Sequence, residues 1–162
     1  MFIYSVRAGT LKLFALILAV VAVLLTVTAL DNNTAVYASV GDRTINYGGM
    51  KTEDDRVAFI ESFGLKINRD SVKSEVFSIP DELGRILLGY NELQKTQGLD
   101  VSKYTGKRVT RYCYEVTNYD YDGAVFVNLI IYRNRIIACD ISSGDPDGFV
   151  LPLTRLDTEK IK

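Results

Sequence analysis

The sequence predicts an α+β protein: an N-terminal transmembrane helix, then a small domain of order α-β-α-β-β-β with an antiparallel sheet and helices on one face. Three observations predict it. Residues 13–30 form an uncharged apolar run, two stretches between Thr52 and Gly98 repeat apolar residues at helical spacing, and three strand-length segments follow Gly106. With 162 residues, the chain is long enough for one domain of ordinary size.

Leu13 to Leu30 is eighteen residues long and would span roughly 27 Å as a helix, close to the hydrocarbon thickness of a bilayer. Arg7 and Lys12 precede it and Asp31 follows it, so the positive-inside rule keeps residues 1–12 in the cytoplasm and exports the rest. The expectation is a single-pass cell-membrane protein with an extracytoplasmic C-terminal domain. Cleaved signal peptides have apolar regions of about 7 to 15 residues, and this longer one reads as an uncleaved signal anchor.

Residues 31–50 are rich in Asn, Gly, Ser and Thr without a helical period, which reads as a linker to a domain over residues 51–155. Thr52 and Asp55 resemble a capping box, and Val57, Phe59, Ile60 and Phe63 then share one helical face before Gly64, which predicts a helix over 53–63. Val72 to Ile79 is a short strand closed by Pro80. Asp81 can cap a second helix in which Leu83, Ile86, Leu87, Tyr90 and Leu93 recur at spacings of three and four, ended by Gly98. Val109–Thr117, Val125–Tyr132 and Arg135–Ser142 form a three-stranded meander, with Arg133 and Asn134 as its second turn. Residues 156–162 read as a tail.

Composition excludes several chemistries. The chain has no histidine, so no serine or cysteine can use an imidazole base and no zinc site can contain imidazole. Residues 31–162 hold 17 basic groups against 20 acids, a net of −3, and this gives no support to nucleic acid as a partner.

Asn118, Asp120, Asp122 and Gly123 match the first half of a calcium loop, but Leu129 stands where the bidentate Glu belongs. A structural turn explains the same residues, and the second such run, Asp145 to Gly148, reads the same way. Cys113 and Cys139 are the only thiols. The meander as drawn sets both opposite Asn128, on one face but two strands apart, roughly 9 to 10 Å, too far for a disulfide and favouring two buried free thiols. Tyr90, Tyr104, Tyr112, Tyr114, Tyr119, Tyr121 and Tyr132 offer either a recognition surface or ordinary strand residues, and strand propensity is the preferred reading. Gly106 and Lys107 lack the earlier glycine of a phosphate loop, with Val101 in its place. No catalytic, cofactor-binding or metal residues are assigned, and no cofactor is expected.

One longer pattern stands out: Tyr90, Asn91, Glu92, Leu93, Gln94, then Gln97, Gly98, Asp100, Tyr104, Gly106, Lys107, Arg111 and Tyr112, followed by Tyr114, Val116, Asn118, Asn128, Leu129, Asp140, Ser142, Asp147, Gly148 and Phe149. Over roughly residues 52–153 it resembles an uncharacterised family of bacterial domains of unknown function, largely Gram-positive, in exported proteins with one N-terminal membrane segment. Members usually carry a Gly pair before the position of Asp140, where this chain has Ala138 and Cys139. The resemblance implies no activity and no catalytic residues.

Two functions are carried forward. The first is a membrane-anchored, non-catalytic extracytoplasmic module that binds a protein or envelope component. The alternative is a histidine-free hydrolase of envelope polymers using acids such as Asp140 and Glu115, which would have to stand roughly 5 to 9.5 Å apart.

Overall fold

A computed structural model describes residues 37–40 and 43–162. The expected cytoplasmic N-terminus, residues 1–12, and the expected transmembrane helix, residues 13–30, lie outside the described residues. Among the described residues, no helix is long and apolar enough to cross a membrane.

The elements run β1 (Tyr37–Val40), β2 (Arg43–Asn46), α1 (Glu53–Glu61), β3 (Ile67–Ser78), α2 (Arg85–Lys95), β4 (Arg108–Val116), β5 (Val125–Tyr132), β6 (Arg135–Ser143) and β7 (Val150–Leu151), with short 3₁₀ turns at Val101–Tyr104, Leu153–Arg155 and Thr158–Lys160. Strands β3 to β7 form one antiparallel sheet in sequence order, and β1 pairs with β2 separately. The α+β class and the meander match the expectation. Arg133 and Asn134 both hold positive φ, 46° and 61°, as a two-residue turn between right-twisted strands requires.

Alternation along β5 divides the sheet into two faces. Val125, Val127, Leu129 and Ile131 are buried, whereas Phe126, Asn128, Ile130 and Tyr132 are half-buried. The first set joins Tyr114, Val116, Cys139 and Ile141 in the main core, together with Phe59 and Ile60 of α1. The second face carries a smaller cluster, Ile79, Val109, Ile137 and Ala138, against which Leu83 and Tyr90 beside and within α2 pack. The helices therefore serve opposite faces, not one face as expected. The reason is that both faces of the central strands are apolar enough to need a cover.

Helix α1 begins as anticipated: the Thr52 hydroxyl accepts from Asp55 N–H at 3.2 Å, and the Asp55 carboxylate accepts from Thr52 N–H at 2.7 Å. Helix α2 begins later than expected, with Gly84 and not Asp81 at its N-cap. Asp81 instead sits against Gly106, where an added Cβ would lie 2.7 Å from its carboxylate oxygen, and Gly106 has φ +69°.

Three further expectations need correction. Strand β3 is longer than 72–79, starting at Ile67 with a register shift between Asn68 and Lys73. The stretch 31–50 is not an unstructured linker over its described part: it holds the β1–β2 hairpin, and Tyr47 is fully buried with its hydroxyl donating to the Gln97 carbonyl at 2.8 Å. An aromatic ring with a polar tip can anchor a polar segment to a core, which composition alone conceals. The tail 156–162 is likewise tied down, since Lys162 N–H donates to the Asn118 carbonyl and Ile161 bridges to Tyr119.

Candidate functional site

The densest polar chemistry lies where α2 crosses strand β6. Along α2 and just beyond it, Asn91, Gln94 and Gln97 are all buried, at 2%, 0% and 0% exposure. Spacings of three put these amides on one side of the helix. Gln94 treats Cys139 as a neighbouring strand would: its Oε1 accepts from Cys139 N–H and its Nε2 donates to the Cys139 carbonyl, both at 3.0 Å. Gln97 Nε2 adds bonds to the same carbonyl at 2.6 Å and to Gln94 Oε1 at 2.7 Å. Asn91 joins α2 to the following turn by donating to Asp100 and accepting from Val101 N–H.

These amides complete the outer edge of β6. At its start, Ile136 N–H donates to the Tyr47 carbonyl, and at its end β7 pairs with Ile141 and Ser142. Between the two, Cys139 is held by Gln94 and Gln97. Without such partners an edge strand exposes or orphans its backbone groups.

On the second face, Tyr90 Oη donates to Asp140 at 2.8 Å and Asn128 Nδ2 donates to Asp140 at 2.9 Å and to Ser142 Oγ at 3.1 Å. Asp140 is 5% exposed. Burial pushes its carboxyl above the usual range, against the pull of the Tyr90 and Asn128 hydrogen bonds and the field of Arg111. Burial also raises the Tyr90 hydroxyl and the Cys113 and Cys139 thiols, so none of these is a ready nucleophile.

The geometry separates the proposed acid pair. Glu115 pairs with Phe126, and Asp140 pairs with Asn128. Two strand spacings and a two-residue offset place their Cα atoms roughly 12 Å apart. A cleft of about 500 Å³ between β2 and α1 is lined by Ile45, Met50, Asp55, Phe59 and Phe63 among others. Its one acid, Asp55, is engaged in capping α1.

The remaining candidates disperse. Asn128 faces Asp140, not Cys139, because Ile137 is an extra residue between the pairs Ile130–Ala138 and Ile131–Ile136. That one-residue shift turns Cys139 onto the face opposite Cys113. Both thiols are free, Cys139 buried and Cys113 half-buried. Asn118 is occupied by backbone, accepting from Lys66 N–H and donating to the carbonyls of Gly64 and Lys162. Asp120 pairs with Lys162 at 2.6 Å, and Gly123, at φ +148°, is crowded by Tyr121 and Asp145. Among the described residues no group of His, Cys, Asp or Glu is arranged to hold a metal. Tyr112 and Tyr114 bind Arg56 on the first face, whereas Tyr104 and Tyr132 meet edge to face on the second. They form no single surface.

The family resemblance includes Asn91, Gln94 and Gln97 and implies no role for them; their signal in the sequence is three amides at spacings of three. Ala138 and Cys139 are both fully buried, with Cys139 supplying the backbone groups that the glutamines grasp.

A family model described as Domain of unknown function (DUF4830) matches residues 59–141, from α1 through α2 into β6. No curated protein and no solved structure matches the chain. The match spans just over half of the 162 residues and contains the whole α2–β6 junction, and the chain belongs to the DUF4830 family, a domain of unknown function.

Proposed function

We propose that the protein is a non-catalytic binding module of the cell envelope, carried outside the cytoplasm by a membrane anchor at residues 13–30. The single observation that carries the non-catalytic reading is Asp140. Of the two acids that the hydrolase reading needs, it is 5% exposed and each of its oxygens accepts from a neutral side chain of the domain. A general acid or base has to reach its substrate, and this carboxyl is tied inward. Support for the anchor comes from the uncharged run 13–30 and the flanking Arg7, Lys12 and Asp31.

The test uses the full chain with isolated envelope polymers. Co-sedimentation reads binding, and chromatography of the supernatant reads released fragments. Binding without fragment release supports the module. Release that disappears in Asp140→Asn overturns it in favour of the hydrolase. A reporter fused after Lys162 checks orientation: activity outside the cytoplasm is expected, and cytoplasmic activity contradicts the anchor reading.

A further inference from the structure

Antiparallel pairing brings the ends of β3 and β5 beside the starts of β4 and β6, as the partners Ser78–Arg108 and Tyr132–Arg135 show. Five cations meet at this end: Lys107 and Arg108 before and at the start of β4, Arg133 and Arg135 at the β5–β6 turn, and Lys103 in the 3₁₀ turn. Tyr104 joins that turn to the strands, its ring 5.6 Å from the Tyr132 ring. Arg133 lies 5.3 Å above the Tyr132 ring. None of the ion pairs among the described residues involves Lys107, Arg108, Arg133 or Arg135.

Lys103 and Arg135 line a cavity of about 150 Å³ together with Gly98, Asp100, Tyr104 and Ile137. At about 30 Å³ per water, this holds roughly five waters, well below the size of a pocket for a drug-sized ligand. Arg135 is half-buried there with no carboxylate partner. Asp100 reaches Lys103 only at 3.8 Å, while its carboxylate accepts from Asn91 and Ser102. That engaged acid repels an anion from its own side of the cavity and favours the Arg135 side. Other acids near this end include Asp81, against Gly106, the exposed Glu82, and Asp55, whose carboxylate caps α1 beside Met50, the residue that donates to the Asn134 carbonyl of the β5–β6 turn. The opposite end of the sheet is acidic, with Asp120, Asp122, Asp145 and Asp147 in its turns. The near-neutral total charge hides this separation.

The geometry points to an anion site at this basic end that takes one phosphate group, a monoester or a diester, on Arg135, with Lys103 and Arg133 beside it. A guanidinium fork matches two phosphate oxygens, and the Tyr132 ring beneath Arg133, itself packed against Tyr104, limits the motion of the neighbouring cation. This deepens the binding-module reading by naming a ligand chemistry, and it rests on that reading.

Calorimetric titration of the full chain in detergent, at low salt, tests the site with two probes: inorganic phosphate and monomeric dihexanoyl phosphatidylglycerol. Saturable binding of either is expected, with the tighter probe identifying a free phosphate or a lipid headgroup as the source. Arg135→Gln should weaken binding at least tenfold and Lys103→Gln severalfold, while Lys160→Gln, in the C-terminal 3₁₀ turn, should leave it unchanged. Lys103 is exposed, so its variant preserves the test should Arg135→Gln unfold. Absence of binding by both probes, or equal weakening by Lys160→Gln, overturns the site. Loss of phosphate and lipid binding with envelope polymers still bound overturns the site and leaves the module reading intact, whereas fragment release with phosphate still bound overturns the module reading, so the two failures are distinguishable.

Discussion

Helix α1 meets the sheet through Val57, Phe59 and Ile60, whereas the side chains that α2 itself buries fully are Asn91 and Gln94. The apolar residues of α2 are partly left outside: Ile86 is 87% exposed and Leu88 51%. The difference follows from what each helix covers. Helix α1 lies over a face whose backbone groups are already paired within the sheet, so apolar contact is sufficient. Helix α2 crosses an edge, where the Cys139 N–H and carbonyl point outward and need partners. A leucine there would exclude water without replacing it. The chemistry of a buried helix face is thus set by the part of the sheet beneath it.

Breaking the amide contact should have the largest effect. Gln94→Leu keeps approximate volume but orphans the Cys139 N–H and weakens the Gln97 arrangement, and each orphaned buried group costs about 1–3 kcal/mol. A loss of about 3 kcal/mol is expected in urea unfolding. If leucine is tolerated at less than about 1 kcal/mol, the junction is apolar in character and the contrast fails. At the other helix, Ile60→Val should cost only about 1 kcal/mol, because it removes one methylene from a core that needs no hydrogen bond there. A larger loss for Ile60→Val than for Gln94→Leu would reverse the comparison.

A smaller effect sharpens it through pH. The folded-state Asp140 carboxyl is raised mainly by burial, so its contribution to stability is fully present below the unfolded carboxylate range and is lost as pH rises through the folded value. Asp140→Asn removes this titration while still accepting from Asn128 and bonding to Tyr90. Urea midpoints from about pH 4 to 8 should show the variant gaining on wild type as pH rises. A flat difference would mean that the second face does not penalise the charge.

The sequence carried the strand limits because β5 alternates without interruption from Val125 to Tyr132 and its flanking turns are short. The Thr52 cap was legible for the same local reason. What lay beyond it was non-local. The extra residue at Ile137 reverses which face Cys139 occupies, and nothing in Arg135–Ser142 marks it, since every residue from Ile136 to Ile141 is buried on one face or the other. The amphipathic reading of α2 weighted Ile86 and missed Gln94, because hydropathy treats an amide as surface. Only the exposed edge of another strand makes it a core residue. Tyr47 was hidden among polar neighbours, and its partner carbonyl lies fifty residues away.

A side-chain amide replaces a strand at the β6 edge, and amide hydrogen exchange of Cys139 reads this replacement. Cys139 N–H is held by Gln94 Oε1, while β7 pairs with the strand further on at Ile141. In Gln94→Leu, protection at Cys139 should fall by an order of magnitude or more relative to amides of β5, which remain paired within the sheet. Unchanged protection at Cys139, or a uniform fall across β5 and β6, would mean that Gln94 does not stand in for a strand at this edge.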